Sequence, residues 1–260
     1  MNFLGIIPSR YASTRFPGKP LVDMDGKTMI QRVYEQVRDT VGRLYVATDD
    51  ERIAETVKKF GGDVILTSEK HSSGTDRCYE AYCKAGGEPD VVINIQGDEP
   101  FIQPEQIELL KSCFSESGTQ IATLVKPFDR DGDFEQMLFN PNTPKVVLNN
   151  RNEAMYFSRS VIPYIRGEEY TEWLKTHTFY KHIGLYAYRA DVLREITALP
   201  PSSLETAESL EQLRWLQNGY RIKVGITHLE TIGIDTPGDM EKALAFLRAC
   251  VHSRACVREN

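Results

Sequence analysis

Short apolar runs alternate with amphipathic stretches along the first half of the chain. Runs of strand character fall at 3–7, 44–47, 64–66, 91–95 and 121–125, each closed by polar or turn-forming residues. Between them the spacing becomes helical. Met29, Ile30, Val33, Tyr34 and Val37 fall on one helix face, while Gln31, Arg32, Glu35 and Arg38 fall away from it. Further helices are expected at about 51–60, 76–85 and 104–116. Strands alternating with helices in this way build a parallel sheet with crossover helices. Residues 1–127 are therefore expected to form a doubly wound α/β half.

The rhythm changes after Pro127. Asp-Gly-Asp at 131–133 and Asn-Pro-Asn at 140–142 mark loops, and strand character returns at 145–148 and, after a polar stretch at 166–178, at 182–188. Leu204, Leu210, Leu213 and Leu216 predict one helix that Gly219 can end. Thr236-Pro237 places a hydroxyl cap before a first-turn proline, and Met240, Ala243, Leu244, Leu247 and Val251 line the face of a last helix. From about His252 the tail is expected to fray.

The 260 residues, 41% of them hydrophobic, suffice for a substantial core. A net charge of −6 gives no general footprint for nucleic acid, although a local basic patch could serve a small polyanion such as a free nucleotide. The apolar stretch near the N-terminus is short and followed by cations, the reverse of a secretory signal's order, and no run approaches the ~20 residues a membrane span needs. A cytoplasmic protein without membrane insertion is expected. Five cysteines (Cys78, Cys83, Cys113, Cys250 and Cys256) form no Cys-x-x-Cys pair, so neither a disulfide framework nor a zinc site is indicated.

Candidate chemistry begins in the loop after the first strand, Ser9-Arg10-Tyr-Ala-Ser13-Thr-Arg15-Phe-Pro-Gly18-Lys19-Pro. Ligands of open α/β sheets sit at this carboxyl end of the strands. Arg grips phosphate oxygens bidentately and Lys adds a mobile charge, so the loop suits a triphosphate. The same composition also suits a solvated surface loop. Lys19 is followed by Pro20 rather than Ser or Thr, and no Gly-x-Gly-x-x-Gly follows a strand, which excludes a P-loop and a standard dinucleotide site. The run 91–95 ends in Gln96-Gly97-Asp98, which puts a hard carboxylate at the same edge, fit for Mg²⁺ or simply for a turn. Asp235 stands just before the last helix and could hold metal or serve the helix start; Asp239 has the latter, ordinary role.

Further along, the polar loop 71–77, His-Ser-Ser-Gly-Thr-Asp-Arg, leads into a helix with Thr75 or Asp76 as candidate cap. Arg159 follows Tyr156-Phe157-Ser158 and could meet a substrate carboxylate or lie on an amphipathic face. A period of two puts His182, Gly184, Tyr186 and Tyr188 on one strand face. Glu208, Glu211 and Gln212 lie on a helix, where such residues are also ordinary surface groups.

Taken together, in this order, these motifs resemble those of the 3-deoxy-manno-octulosonate cytidylyltransferases, from about residue 3 to 247; Phe16 and Pro144 depart from the family's pattern. The resemblance implies a nucleotide-diphospho-sugar transferase-like architecture in one domain, 1–250. Residues 1–127 would be its nucleotide-binding half, 128–250 a smaller sugar-binding and dimerisation lobe, and 251–260 a tail. It implies that Ser9, Arg10, Ser13, Arg15, Lys19, Ser73, Gly74, Arg77 and Gln96 bind CTP. Asp98 and Asp235 would bind Mg²⁺, and Arg159, His182, Tyr186, Glu211 and Gln212 the sugar acid. Lys19, Arg10, Arg15 and Asp98 would carry catalysis, as CMP passes from CTP to the anomeric hydroxyl of the sugar. A homodimer serving lipopolysaccharide synthesis is implied as well. A cytidylyltransferase for another acidic sugar is the nearest rival, and a catalytically silent nucleotide-binding protein the more distant one.

Overall fold

The computed structural model describes residues 1–12, 16–129, 137–229, 233–234 and 236–258, with the side chains of the last helix described as far as Arg248. The chain forms two compact units. Ser13, Arg15 and Asp235 lie outside the described residues.

One unit contains Leu4–Gly87, Ile95–Pro104 and the C-terminal segment. Its strands β1 (Phe3–Ser9), β2 (Arg43–Thr48) and β3 (Val64–Leu66) are parallel, with β2 between the other two. The crossover helices α1 (Met29–Val37) and α2 (Glu51–Lys59) bury the apolar faces that their spacing predicts, including all five apolar residues of α1. The Asp50 carboxylate caps α2 by accepting from the Arg52 N–H. α3 (Gly74–Lys84) follows β3 and starts two residues earlier than its periodicity suggests. At the far end of the chain α9 (Pro237–Arg258) buries Met240 and Ala243 against Met24, Met29, Phe101 and Ile234. Phe16, Leu244 and Leu247 pack on that cluster, so the aromatic residue at 16 does the work of an aliphatic one. The helix runs past His252, where fraying is expected from the sequence.

The other unit contains Met1–Phe3, Glu88–Asn94 and the chain from Glu105 onward through the last strand. β8 (Tyr180–Arg189) runs antiparallel to β4 (Val91–Asn94), β5 (Ile121–Pro127) and β6 (Lys145–Leu148), whereas β5 and β9 (Ile222–Ile226) are parallel. β6 and β7 (Ala154–Ser158) form a hairpin. Helices α4 (Pro104–Ser112), α5 (Trp173–Thr176), α6 (Ala190–Thr197), α7 (Ser203–Glu208) and α8 (Gln212–Gln217) lie between these strands or beside them in sequence. The fold is thus mixed α/β, with the parallel doubly wound pattern in β1–β3 and antiparallel pairing around β8.

Two expectations about organisation change. The division does not fall at residue 127: β4 and β5 belong with β6–β9, and the C-terminal segment returns to β1–β3. The helix expected across 204–216 is two helices. Ser209 between α7 and α8 has φ 50, a left-handed conformation that stops α7. Among the described residues, no helix is long and apolar enough to cross a membrane.

Lys145 at the start of β6 is fully buried, and its ammonium donates to the carbonyls of Asn140, Thr143 and Arg159 at 3.0, 2.9 and 2.6 Å. Burial pushes its pKa down to about 8, with the Glu208 carboxylate partly opposing that shift. The preceding Pro144 lacks an N–H but supplies a carbonyl to the His182 N–H, so it fits here without loss. Replacing Lys145 strands buried carbonyls. Lys145→Met is expected to lower unfolding free energy by about 3 kcal/mol in urea titration.

Candidate active site

The parallel strands β1–β3 end on one edge, and the polar residues that follow them gather there. A cleft of about 220 Å³ at this edge is lined by Ser9, Arg10, Lys19, His71, Ser73, Gly74, Arg77, Gln96 and Asp98, among others. Ile95 brings the second segment in: its N–H donates to the Ile6 carbonyl at 2.9 Å, which lays 96–98 alongside the end of β1. Gly97 makes that approach possible, since a Cβ there would lie 2.9 Å from the Ser9 Oγ and 3.3 Å from the Pro8 carbonyl oxygen. The Ser9 hydroxyl is buried with no hydrogen-bond partner among the described residues, a group left for a ligand or water to satisfy.

The two described ends of the basic loop meet. Gly18 adopts φ 71, and its N–H donates to the Tyr11 carbonyl at 3.0 Å, closing the stretch between them. The Arg52 guanidinium covers the Tyr11 ring at 3.4 Å from its centroid. Lys19, at the head of the 3₁₀ turn Lys19–Leu21, then points its ammonium at Asp98 Oδ2 (2.6 Å) and at the Ile234 carbonyl (2.8 Å). The Ile234 N–H in turn donates to the Asp98 carbonyl at 3.0 Å. The segment carrying Asp98 and the one leading to Asp235 are therefore tied together.

The third wall is the start of α3. Its cap is Ser73, whose hydroxyl accepts the Asp76 N–H at 3.1 Å, rather than Thr75 or Asp76. The helix opens with Gly74 on the cleft, so its positive end faces any anion bound there. Arg77 is only 4% exposed, and its guanidinium donates to Thr67 Oγ1 (2.6 Å) and Asp49 Oδ2 (3.2 Å). Those partners follow β3 and β2 directly, so Arg77 braces α3 to the strand ends while forming part of the wall. His71 Nε2 bonds the Glu80 carboxylate. Burial pushes Glu80 up, but Lys84, the Ser68 N–H and His71 together hold it down to about 2. Sequence reading passed over His71 and Glu80 because their pairing spans a loop and two turns of helix.

The residues expected to contact a sugar lie in the other unit, around β8. The His182 and Tyr186 rings sit 5.3 Å apart, with Phe157 packed edge-on to His182 and Trp215 edge-on to Tyr186. A bulge in β8 between its pairings with Thr123 and Leu124 keeps them together. Thr123 Oγ1 donates to the Leu185 carbonyl at 2.8 Å and lies 3.1 Å from His182 Nε2, which implies that Nε2 carries the hydrogen. Burial drives His182 down to about 3 and the Tyr186 phenol well above its usual value, with the Glu211 carboxylate adding to the latter shift. Both stay neutral at neutral pH. Gln212 Nε2 and Trp215 Nε1 are buried with no hydrogen-bond partner among the described residues.

Arg159, expected to meet the sugar, is also anchored by the protein itself. Each of its nitrogens donates to a backbone carbonyl: Nε to Glu208 (2.6 Å), Nη1 to Pro141 (2.9 Å) and Nη2 to Ser209 (3.2 Å). The Glu208 carboxylate accepts from the Arg159 N–H and the Ser158 hydroxyl. Arg159 thus fastens the break between α7 and α8, just ahead of Glu211 and Gln212. Lys145 and Glu208, which hold this corner, were not singled out as site residues from sequence; a lysine opening the strand Lys-Val-Val-Leu was the available signal.

The cytidylyltransferase family model matches residues 4–223. A 3-deoxy-manno-octulosonate cytidylyltransferase from Parabacteroides distasonis is 74% identical over 247 residues, covering 95% of this chain and 98% of that one. This chain belongs to the 3-deoxy-manno-octulosonate cytidylyltransferase family. Its counterpart from Bacteroides thetaiotaomicron is 66% identical, with 95% and 99% of the two chains covered. Among solved structures, a CMP:2-keto-3-deoxy-manno-octonic acid synthetase complexed with CTP is similar with a TM-score of 0.86 at 43% identity, covering 96% of this chain and 99% of that one.

In this family member the cleft at β1–β3 depends on a missing side chain. Gly97→Ala would turn the Ser9 hydroxyl out of its place in the cleft and press on the Pro8 carbonyl oxygen 3.3 Å away, which must give by a few tenths of an ångström. CTP affinity is expected to fall at least about tenfold by calorimetry, with an unfolding penalty of only about 1–3 kcal/mol.

Proposed function

We propose that this chain transfers CMP from CTP to the anomeric hydroxyl of 3-deoxy-D-manno-octulosonate, releasing pyrophosphate, and that the CMP-sugar serves lipopolysaccharide synthesis. The observation that carries the reading is the cleft in which Arg10, Lys19 and the start of α3 surround Asp98. CTP is the ligand named for the similar solved structure. Arg10 and Lys19, with Arg15 from the same loop, would grip the triphosphate; the α3 N-terminus adds partial positive charge, and Ser73, Gly74, Arg77 and Gln96 bound the nucleotide on the α3 and Gln96 sides. Positioning and charge neutralisation dominate such a transfer, and no covalent enzyme intermediate is needed.

Mg²⁺ fits this donor set. Asp98 offers a partly exposed carboxylate in the cleft, and the backbone leading to Asp235 is bonded to Asp98. Mg²⁺ takes few protein ligands when phosphates and waters supply the rest, so Asp98 and Asp235 would hold it. When bound, it would polarise phosphate oxygen and the attacking hydroxyl. Around β8, His182, Tyr186, Glu211 and Gln212 would read the sugar by hydrogen bonds, and Arg159 and Lys145 would position Glu211 and Gln212. On this reading the enzyme works in the cytoplasm.

The test is a matrix of nucleoside triphosphates against acidic sugars with Mg²⁺, read by pyrophosphate release. Release with CTP and the octulosonate at a kcat/KM at least about a hundredfold above other pairs is expected. A nonulosonate preferred over the octulosonate would overturn the sugar, and CTP binding without turnover would overturn the enzyme. Asp98→Ala is expected to lose at least about a hundredfold in kcat with its thermal midpoint retained.

A homodimer belongs to the same proposal. In the unit built on β8, Phe139, Tyr164, Tyr170 and Trp173 form an open aromatic face with Glu168 and Glu169 at its rim. Aromatic residues enrich the cores of protein interfaces, and a second copy would cover this face. Light scattering should give twice the chain mass, and Tyr164→Glu should shift it to the monomer; a parent protein that is monomeric at micromolar concentration sinks the assignment.

A further inference from the structure

Lys19 has a second task beyond meeting phosphate. Its ammonium lies 2.6 Å from Asp98 Oδ2 and 2.8 Å from the Ile234 carbonyl, while the Ile234 N–H is bonded to the Asp98 carbonyl. One cation thus sits where the two segments bearing the carboxylates proposed to hold metal converge. Among the described residues the Asp98 carboxylate and the Ile234 carbonyl face it, hard oxygens of the type a divalent cation takes. The side chains are 12% and 32% exposed, so the pair is sheltered enough to be specific yet open to the cleft.

We propose that Lys19 is the resident cation of the Asp98 site in the ligand-free protein, and that it gives up Asp98 to a divalent ion only as nucleotide phosphates arrive to receive its ammonium. This rests on the reading of Asp98 as a metal ligand and deepens it by fixing the order of events. A carboxylate already neutralised by an ammonium binds a free divalent ion poorly, because the ion must displace Lys19 into a cleft whose described lining holds no second carboxylate to meet it. Triphosphate removes that obstacle. The metal and the nucleotide are therefore coupled through one side chain, and each favours the other's binding by the same factor.

The coupling predicts effects of opposite sign from one substitution. Lys19→Met removes the competitor for Asp98, so Mn²⁺ without nucleotide should bind the full chain about tenfold more tightly, read by the loss of the free-ion electron paramagnetic resonance signal. The same variant should bind metal-free CTP about tenfold more weakly in calorimetry, because a phosphate contact is gone. Lys19→Arg keeps a charge beside Asp98 and should hold Mn²⁺ as weakly as the parent. A merely structural lysine would lower both affinities together or move neither. Circular dichroism checks the fold, and if Lys19→Met is misfolded, Lys19→Gln takes its place with the same expected signs.

The double variant Lys19→Met/Asp98→Asn should lose the gain in Mn²⁺ affinity. Unchanged or weaker Mn²⁺ binding by both Lys19→Met and Lys19→Gln overturns the proposal, even if the parent binds Mn²⁺ with CTP. Failure of the parent to bind Mn²⁺ in the presence of CTP overturns it too, together with the metal reading of Asp98.

Discussion

The ammonium of Lys19 is the point on which the nucleotide cleft depends, because it ties together stretches separated by 79 and 215 residues in sequence. Each partner reaches it through a separate constraint. Gly18 supplies the left-handed turn that aims Lys19, and Gly97 lets Asp98 come in beside β1. Ile234 is held by the apolar cluster that also takes Phe16 from the basic loop and Phe101 from beyond Asp98. Burial of apolar surface thus brings the backbone segments together, and the ion pair sets the register of their polar ends. An ion pair this close to solvent contributes modestly to stability. Its value lies in direction: it aims the Lys19 ammonium and the Asp98 carboxylate into one cleft.

The sequence made the β1–β3 half legible because its elements obey local periods. The α1 face is buried residue for residue, and α2 carries its own cap. The chemistry at the strand ends was legible for the same reason: a loop of cations and a Gly-Asp turn are recognisable by type, whatever they touch. Where burial was not periodic, reading failed. β7 exposes Met155 and buries Phe157 and Ser158 in an irregular pattern, and neither it nor β9 was identified. The break at Ser209 hides in a run of helix-compatible residues, because what stops α7 is a backbone conformation fastened from outside by Arg159. Lys145 and Glu208 were passed over as site residues since their weight comes from burial and partners far along the chain. The alternation of elements along the sequence also concealed that the chain crosses between units, at 3–4, 87–88, 94–95 and 104–105 and again before the last helix.

The cluster on β8 shows why fold-level knowledge leaves sugar choice open. An acidic sugar invites the expectation of a guanidinium against its carboxylate, and Arg159 already spends three of its five N–H groups on carbonyls. Burial keeps His182 and Tyr186 neutral at neutral pH. Beside the Glu211 carboxylate stand neutral donors and acceptors held by packing, among them a Gln212 amide with no partner in place among the described residues. Such a set discriminates through hydroxyl positions, because a ligand lacking the right hydroxyl leaves a buried polar group unpaired, and that penalty exceeds the gain from one more apolar contact. On the proposed reading, selection among acidic sugars would fall to hydroxyl geometry read by His182, Tyr186 and Gln212 beside the Glu211 carboxylate. Arg159 and Lys145 act one step back, holding the corner from which Glu211 and Gln212 project.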